Sequence, residues 1–145
     1  MGRNVSPEHG CDVLLFGDYF CDIIITGLSE IPHLGADVFG DSMEIAPGGA
    51  YILAVALHRL GVNVRWAAYL GDDLFSRFLF EEAKKEGIDT SLFQQTDGPL
   101  RSLSLSFSFA HDRGFISYTD PVPGDLPWTL IGWALGVPVY RQFIF

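Results

Sequence analysis

Between positions 103 and 109 apolar and polar residues alternate without a break: Leu103, Leu105, Phe107 and Phe109 are separated by Ser104, Ser106 and Ser108. A period of two predicts a strand with one apolar face and one wetted face. His111, Asp112, Arg113 and Gly114 then predict a turn, with residues 115–119 returning as the partner strand. A strand wetted on one side does not fit a sheet covered on both faces, so this hairpin is expected to project as a separate small sheet.

The rest of the chain follows another pattern. Val13–Phe16 and Val64–Leu70 are continuous apolar runs, as expected of strands buried on both faces. Between them, Pro47, Gly48 and Gly49 open a predicted helix over 50–60, apolar until His58 and Arg59 and ended by Gly61. That helix is expected to lie largely buried against a sheet. A strand, a helix and a strand make a crossover, and its right-handed rule makes the two strands parallel. Asp73 is the expected N-cap of a second helix, on which Phe75, Phe78, Leu79 and Ala83 form one apolar stripe and Gly87 the stop. Ile23, Ile24, Ile25 and Thr26 form a β-branched strand run broken by Gly27, and residues 29–43, rich in Gly, Pro and Asp, predict loops or short strands. Residues 1–10 read as a flexible leader, 127–135 as a helix opened by Pro127, and 139–145 as another core strand.

Composition narrows the function classes. The 145 residues suit one domain, and an apolar share of 48% excludes a disordered chain. The net charge of -9 argues against a nucleic-acid partner, whose phosphates would be repelled. The stretch 128–140 is broken by Gly132, Gly136 and Pro138 and falls short of the about 20 apolar residues a span needs. With no apolar signal segment in residues 1–10, the chain is expected to be cytoplasmic, without membrane contact. Cys11 and Cys21, outside any CxxC spacing, predict a reduced pair. The scattered His9, His33, His58 and His111 assign no metal, and the Asp72-Asp73 pair reads as helix capping.

The segment Pro-Gly-Gly-Ala-Tyr-Ile-Leu-Ala-Val-Ala-Leu-His-Arg-Leu-Gly (47–61), followed by Gly71-Asp72-Asp73, resembles the first signature of the ribokinase-like (PfkB) carbohydrate kinases. Gly48, Gly49, Ala50, Ala54, Gly61 and Gly71 fall in register with it, while Ile52 stands where that family has Asn. Upstream, the Gly17-Asp18 pair and Asp22 are similar to the family's first strand and sugar-binding carboxylate. The resemblance implies an α/β, ribokinase-like three-layer sandwich with a projecting β-sheet lid. On this reading, residues 11–145 are a partial kinase domain, the C-terminal half is missing, and the lid strands lie at about 23–46 and 101–119. It implies ATP-dependent phosphorylation of a sugar or related hydroxyl substrate. Asp22, Gly48, Gly49 and Ile52 line the substrate site, with Asp22 expected just past the first strand. Serines on the wetted face of the alternating strand are further hydrogen-bonding candidates, and Tyr51 is either a ring-stacking or a packing residue. The catalytic base, the ATP pocket and the Mg2+ ligands belong to the half not represented here, so this chain by itself is expected to be inactive. The implied partners are a sugar or nucleoside and a second copy, paired through the lid. The alternative is a sugar- or nucleoside-binding or dimerisation module without catalysis.

Overall fold

The computed structural model describes residues 11–122, so the expected leader 1–10, helix 127–135 and strand 139–145 lie outside the described residues. Seven strands and two helices make two sheets. They run β1 (Val13–Phe16), β2 (Tyr19–Leu28), β3 (Ser42–Gly49), α1 (Ala50–Arg59), β4 (Val64–Leu70), α2 (Leu74–Lys85), β5 (Phe93–Gln95), β6 (Ser102–Phe109) and β7 (Asp112–Thr119). A core sheet of order β1-β4-β5 is parallel throughout, as the two crossovers through α1 and α2 require. A second sheet, ordered β3-β2-β6-β7, is antiparallel except between β2 and β6.

The core forms where the helices meet the first sheet. Trp66 of β4 is fully enclosed, packed edge-on against Phe93 at 5.0 Å and Tyr51 at 6.5 Å, with Leu79 and Ala83 of α2 in the same cluster. Its indole N–H donates to the Gly17 carbonyl at 3.1 Å, so the buried ring has its polar atom satisfied. Both helices close in the same way. Gly61 and Gly87 take positive φ and donate their N–H groups to the carbonyls of His58 and Lys84, while the next residues, Val62 and Ile88, donate to the carbonyls of Leu57 and Ala83.

Several expectations need correction. Helix α1 buries only Tyr51, Ala54 and Val55, and Ile52, Leu53 and the following Leu60 face outward, because its neighbours among the described residues, chiefly β1 to β4, lie on its other side. The stripe of α2 is rotated: Ser76, Leu79 and Ala83 are its buried residues, with Phe75 and Phe78 at its margins. Pro47 and the glycines complete strand β3 rather than open the helix, and Pro47 is tolerated there because β3 is an edge strand. Strand β2 begins at Tyr19, four residues earlier than the β-branched run suggests. It also continues past Gly27, whose φ of 76° sits at an irregularity in the pairing with β6. The hairpin turns at Ala110 and His111, because Gly114 lies within β7 opposite Phe107, whose ring occupies the space a side chain would need. Strand β5 carried no periodic signal, being three residues long.

Candidate functional site

Two strand pairings, β2 with β3 and β2 with β6, bring the candidate residues of the second sheet together. Asp22 lies inside β2, not at the end of the first strand, and is flanked by Ala46 of β3 and Ser104 of β6. Phe20, two residues earlier on the same face, pairs with Gly48. The Asp22 carboxylate leans over Gly48, and a methyl group there would overlap it. Asp22 and Gly48 are therefore in direct contact, and the glycine is what makes room for the carboxylate.

Gly49 adopts φ 63° and ψ -135° as the residue before α1. A side chain at this position would also meet the Asp18 carbonyl oxygen at 2.6 Å, and the same carbonyl accepts the Ala50 N–H at 3.0 Å. Gly17-Asp18 thus holds the start of α1, consistent with a structural role for that pair. Helix α1 begins with no side-chain cap and no acidic residue in its first turn. Ile52 stands in that turn, 59% exposed. Tyr51 points the other way, into the core against Trp66, which decides for packing over stacking.

The electrostatics single out Asp22. Among the described residues it has no hydrogen-bond or ion-pair partner, and burial alone raises its pKa above the ordinary 3.8. The opposite holds for Asp73. Burial pushes that carboxyl up, but bonds from the N–H groups of Leu100, Ser76 and Phe75 and from the Ser76 hydroxyl outweigh it and lower its pKa. Asp73 is a cap, as its sequence position indicated, and it also ties the root of β6 to α2 through Leu100. Gly71 lets that root approach, since a side chain there would strike the Leu100 N–H.

Sequence reasoning missed the side chains that anchor the second sheet. Tyr19 Oη lies 2.7 Å from Ser76 Oγ and donates to the Leu100 carbonyl at 2.9 Å, while Ser76 Oγ also accepts the Gly71 N–H at 2.8 Å. Burial chiefly pushes the Tyr19 pKa up to about 12. Arg101 grips Asp120 through Nε at 2.8 Å and Nη2 at 3.1 Å, and the Tyr118 hydroxyl adds a third bond at 2.8 Å. Only a polar residue at a buried helix position, Ser76, hinted at the first of these networks.

The two faces of the β3-β2-β6-β7 sheet differ in kind. Alternation puts Asp22, Ser104 and Ser117 side by side on one face. Ile23, Ile45, Leu105 and Ile116 share the other, along with Met43, Ile25 and Phe107. Met43, Ile45 and Ile116 are largely exposed.

This arrangement is that of the sugar kinases. The structure is similar to that of a ribokinase from Thermotoga maritima, with a TM-score of 0.62 at 20% identity, over 75% of this chain and 36% of that one. It is also similar to a fructokinase from Xylella fastidiosa, with a TM-score of 0.56 at 28% identity over 73% of this chain and 33% of that one. An uncharacterized sugar kinase from Pyrococcus horikoshii, in complex with ATP, gives 0.57 and 27% over 72% of this chain and 33% of that one. The chain therefore spans between 33% and 36% of these structures. No curated protein sequence matches it. Residues 15–123 match the pfkB family carbohydrate kinases, and the chain belongs to that family.

Among the described residues no three His, Cys, Asp or Glu side chains converge to hold a metal ion. No described helix is long and apolar enough to cross a membrane.

Proposed function

We propose that this chain supplies the sugar-binding side of an ATP-dependent phosphorylation of a sugar or related hydroxyl substrate in the cytoplasm. Asp22 accepts hydrogen bonds from substrate hydroxyls, Gly48 and Gly49 let the substrate approach the backbone, and Ile52 packs against it. The observation that carries this reading is Asp22 itself: a partly buried carboxylate with no side-chain partner among the described residues, seated over a glycine. Such a group carries a desolvation cost that a hydroxyl-rich ligand would offset. ATP and Mg2+ are expected of the whole kinase.

Calorimetric titration with D-ribose, D-fructose and adenosine tests the reading. One of them should bind the wild-type chain, and Asp22→Ala should lose that binding. Equal affinities in the two proteins would remove Asp22 from the site. If sugar binds but the chain alone releases no substrate-dependent ADP from ATP, the binding half of the proposal stands without the catalytic half.

The apolar face of the second sheet favours a homodimer. A sheet face carrying exposed Met43, Ile45 and Ile116 is unusual for a face meant for water, and two-fold pairing is the commonest way to cover one. Because this face is opposite Asp22, a partner seated on it leaves the sugar side open. Sedimentation should show a dimer that Leu105→Lys with Phe107→Lys converts to a monomer. A monomeric wild-type chain, or a dimer that survives both substitutions, would rule the interface out.

A further inference from the structure

Both backbone polar groups of Leu100 are held by side chains of other elements. Its N–H donates to Asp73 Oδ2 at 3.0 Å, at the start of α2, and its carbonyl accepts the Tyr19 hydroxyl at 2.9 Å, from the start of β2. Leu100 is itself buried, two residues before β6 begins. One residue on, the N–H and carbonyl of Arg101 both bond to Asp120, so β7 is tied to β6 and the two strands move as one hairpin.

Strand β6 needs such a hold because its own sequence does not fix its place along β2. It reads Ser-Leu-Ser-Leu-Ser-Phe-Ser-Phe, and in the observed register Cys21, Asp22 and Ile23 pair with Leu103, Ser104 and Leu105. A slip of one residue exchanges the two faces and is opposed by burial. A slip of two sets Leu105, Ser106 and Phe107 in those places, with every serine still on one face and every apolar side chain on the other. Burial does not discriminate between these two registers.

Strand β7 carries no such repeat, so the slip changes the surroundings of Asp22. In the observed register the row across the sheet from Asp22 is Ser104 and then Ser117. Two residues along, the row is Ser106 and then Phe115. The hairpin also travels about 6.6 Å along β2. A carboxylate offered to hydroxyls then shares its row with a phenyl ring.

Resting on the sugar-binding reading above, we propose that Tyr19 and Asp73 are positioning residues of the Asp22 site: by holding the carbonyl and the N–H of Leu100, they select one of the two registers that the β6 repeat allows. Tyr19 is 3% exposed and three residues from Asp22, hence on the opposite face of β2, so it acts only through the backbone it holds. Asp73 is occupied by the first turn of α2 and by Leu100.

The test uses the full chain with Cys11→Ser and takes the native Cys21 as its reporter. Directly paired residues on neighbouring strands stand about 4.8 Å apart, within the reach of a disulfide. Under mild oxidation Leu103→Cys should bridge to Cys21, and Leu105→Cys should not. Adding Tyr19→Phe should raise the intramolecular bridge from Cys21 to position 105 about three- to tenfold, and adding Asp73→Asn as well should raise it further. The variant with both changes should bind the best of D-ribose, D-fructose and adenosine at least about threefold more weakly, because apparent affinity falls with the fraction in the competent register. Closing the bridge from Cys21 to position 103 should restore that affinity, which a purely structural role for Tyr19 and Asp73 would not allow. Bridging at position 103 alone in every background overturns the inference, and so does a binding loss that the bridge does not repair. Either result leaves the sugar-binding reading intact where Asp22→Ala still loses binding. If the variant with both changes does not fold, the ratio of the two bridges in Tyr19→Phe decides, and an unchanged ratio overturns the inference. Failure of the wild-type chain to bind any of the three ligands removes the sugar-binding reading and the positioning role with it.

Discussion

Asp22 and Asp73 are the same side chain in opposite circumstances. Each sits close to a glycine that has to be bare, Gly48 in one case and Gly71 in the other, and each stands near the start of a helix. Asp73 accepts four hydrogen bonds and its pKa falls; Asp22 accepts none from the described residues and its pKa rises. The start of α2 is closed by its own carboxylate, whereas the start of α1 has no side-chain cap. A carboxylate that folding has fully used contributes to stability. One that folding has partly buried and left unpaired is a cost to stability, and its interactions remain available to a ligand.

That contrast breaks most visibly at Asp73. Asp73→Ala removes an N-cap together with the charged bond to the Leu100 N–H, and should destabilise the chain by about 3 kcal/mol. Urea unfolding followed by circular dichroism measures it, and a loss below about 1 kcal/mol would mean that Asp73 does not join α2 to the second sheet. Asp22→Ala is the mirror case. It should cost about 2 kcal/mol of sugar binding and leave the unfolding midpoint unchanged or higher, since no bond to a described residue is lost and a partly buried charge is removed. A drop in midpoint comparable to that of Asp73→Ala would show a structural carboxylate.

Tyr19→Phe sharpens the comparison from the neighbouring strand position. It deletes the hydroxyl shared by Ser76 and Leu100, and should cost about 1 kcal/mol in the same unfolding experiment.

The pH dependence separates the two aspartates by sign. Asp73, with its folded pKa below 3.8, contributes stability that is present above that value and is lost as pH falls toward the folded pKa. Asp22, with its folded pKa above 3.8, holds its proton more tightly when folded. Its contribution makes stability decline as pH rises from 3.8 through the raised pKa and level off beyond it. Unfolding midpoints across the acid range should therefore show a shallower acid loss in Asp73→Asn and a smaller decline above 3.8 in Asp22→Asn. Identical profiles for both variants and the wild-type chain would refute the assignment.

Much of this protein is written in short-range pattern. The stop of α2 at Gly87, the Asp73 cap and the alternation of β6 all follow from residues within a few positions of one another. The Asp22 and Gly48 candidates were also visible, through the resemblance of their motifs. Their contact was not, because it depends on the antiparallel register of β2 with β3, which places Phe20 opposite Gly48 and lets the carboxylate cross over. Gly114 shows the same limit: its type suggested a turn, and only the pairing with Phe107 reveals a seat for an aromatic ring. Ser76 and Ser102 are each a single hydroxyl in sequence. Tertiary packing gave one of them three partners and the other none. Local periodicity selects helix, strand and face because those are set by the backbone repeat. Which polar groups meet, and which are buried alone, is decided by pairing between segments far apart in the chain, and no local repeat encodes that register.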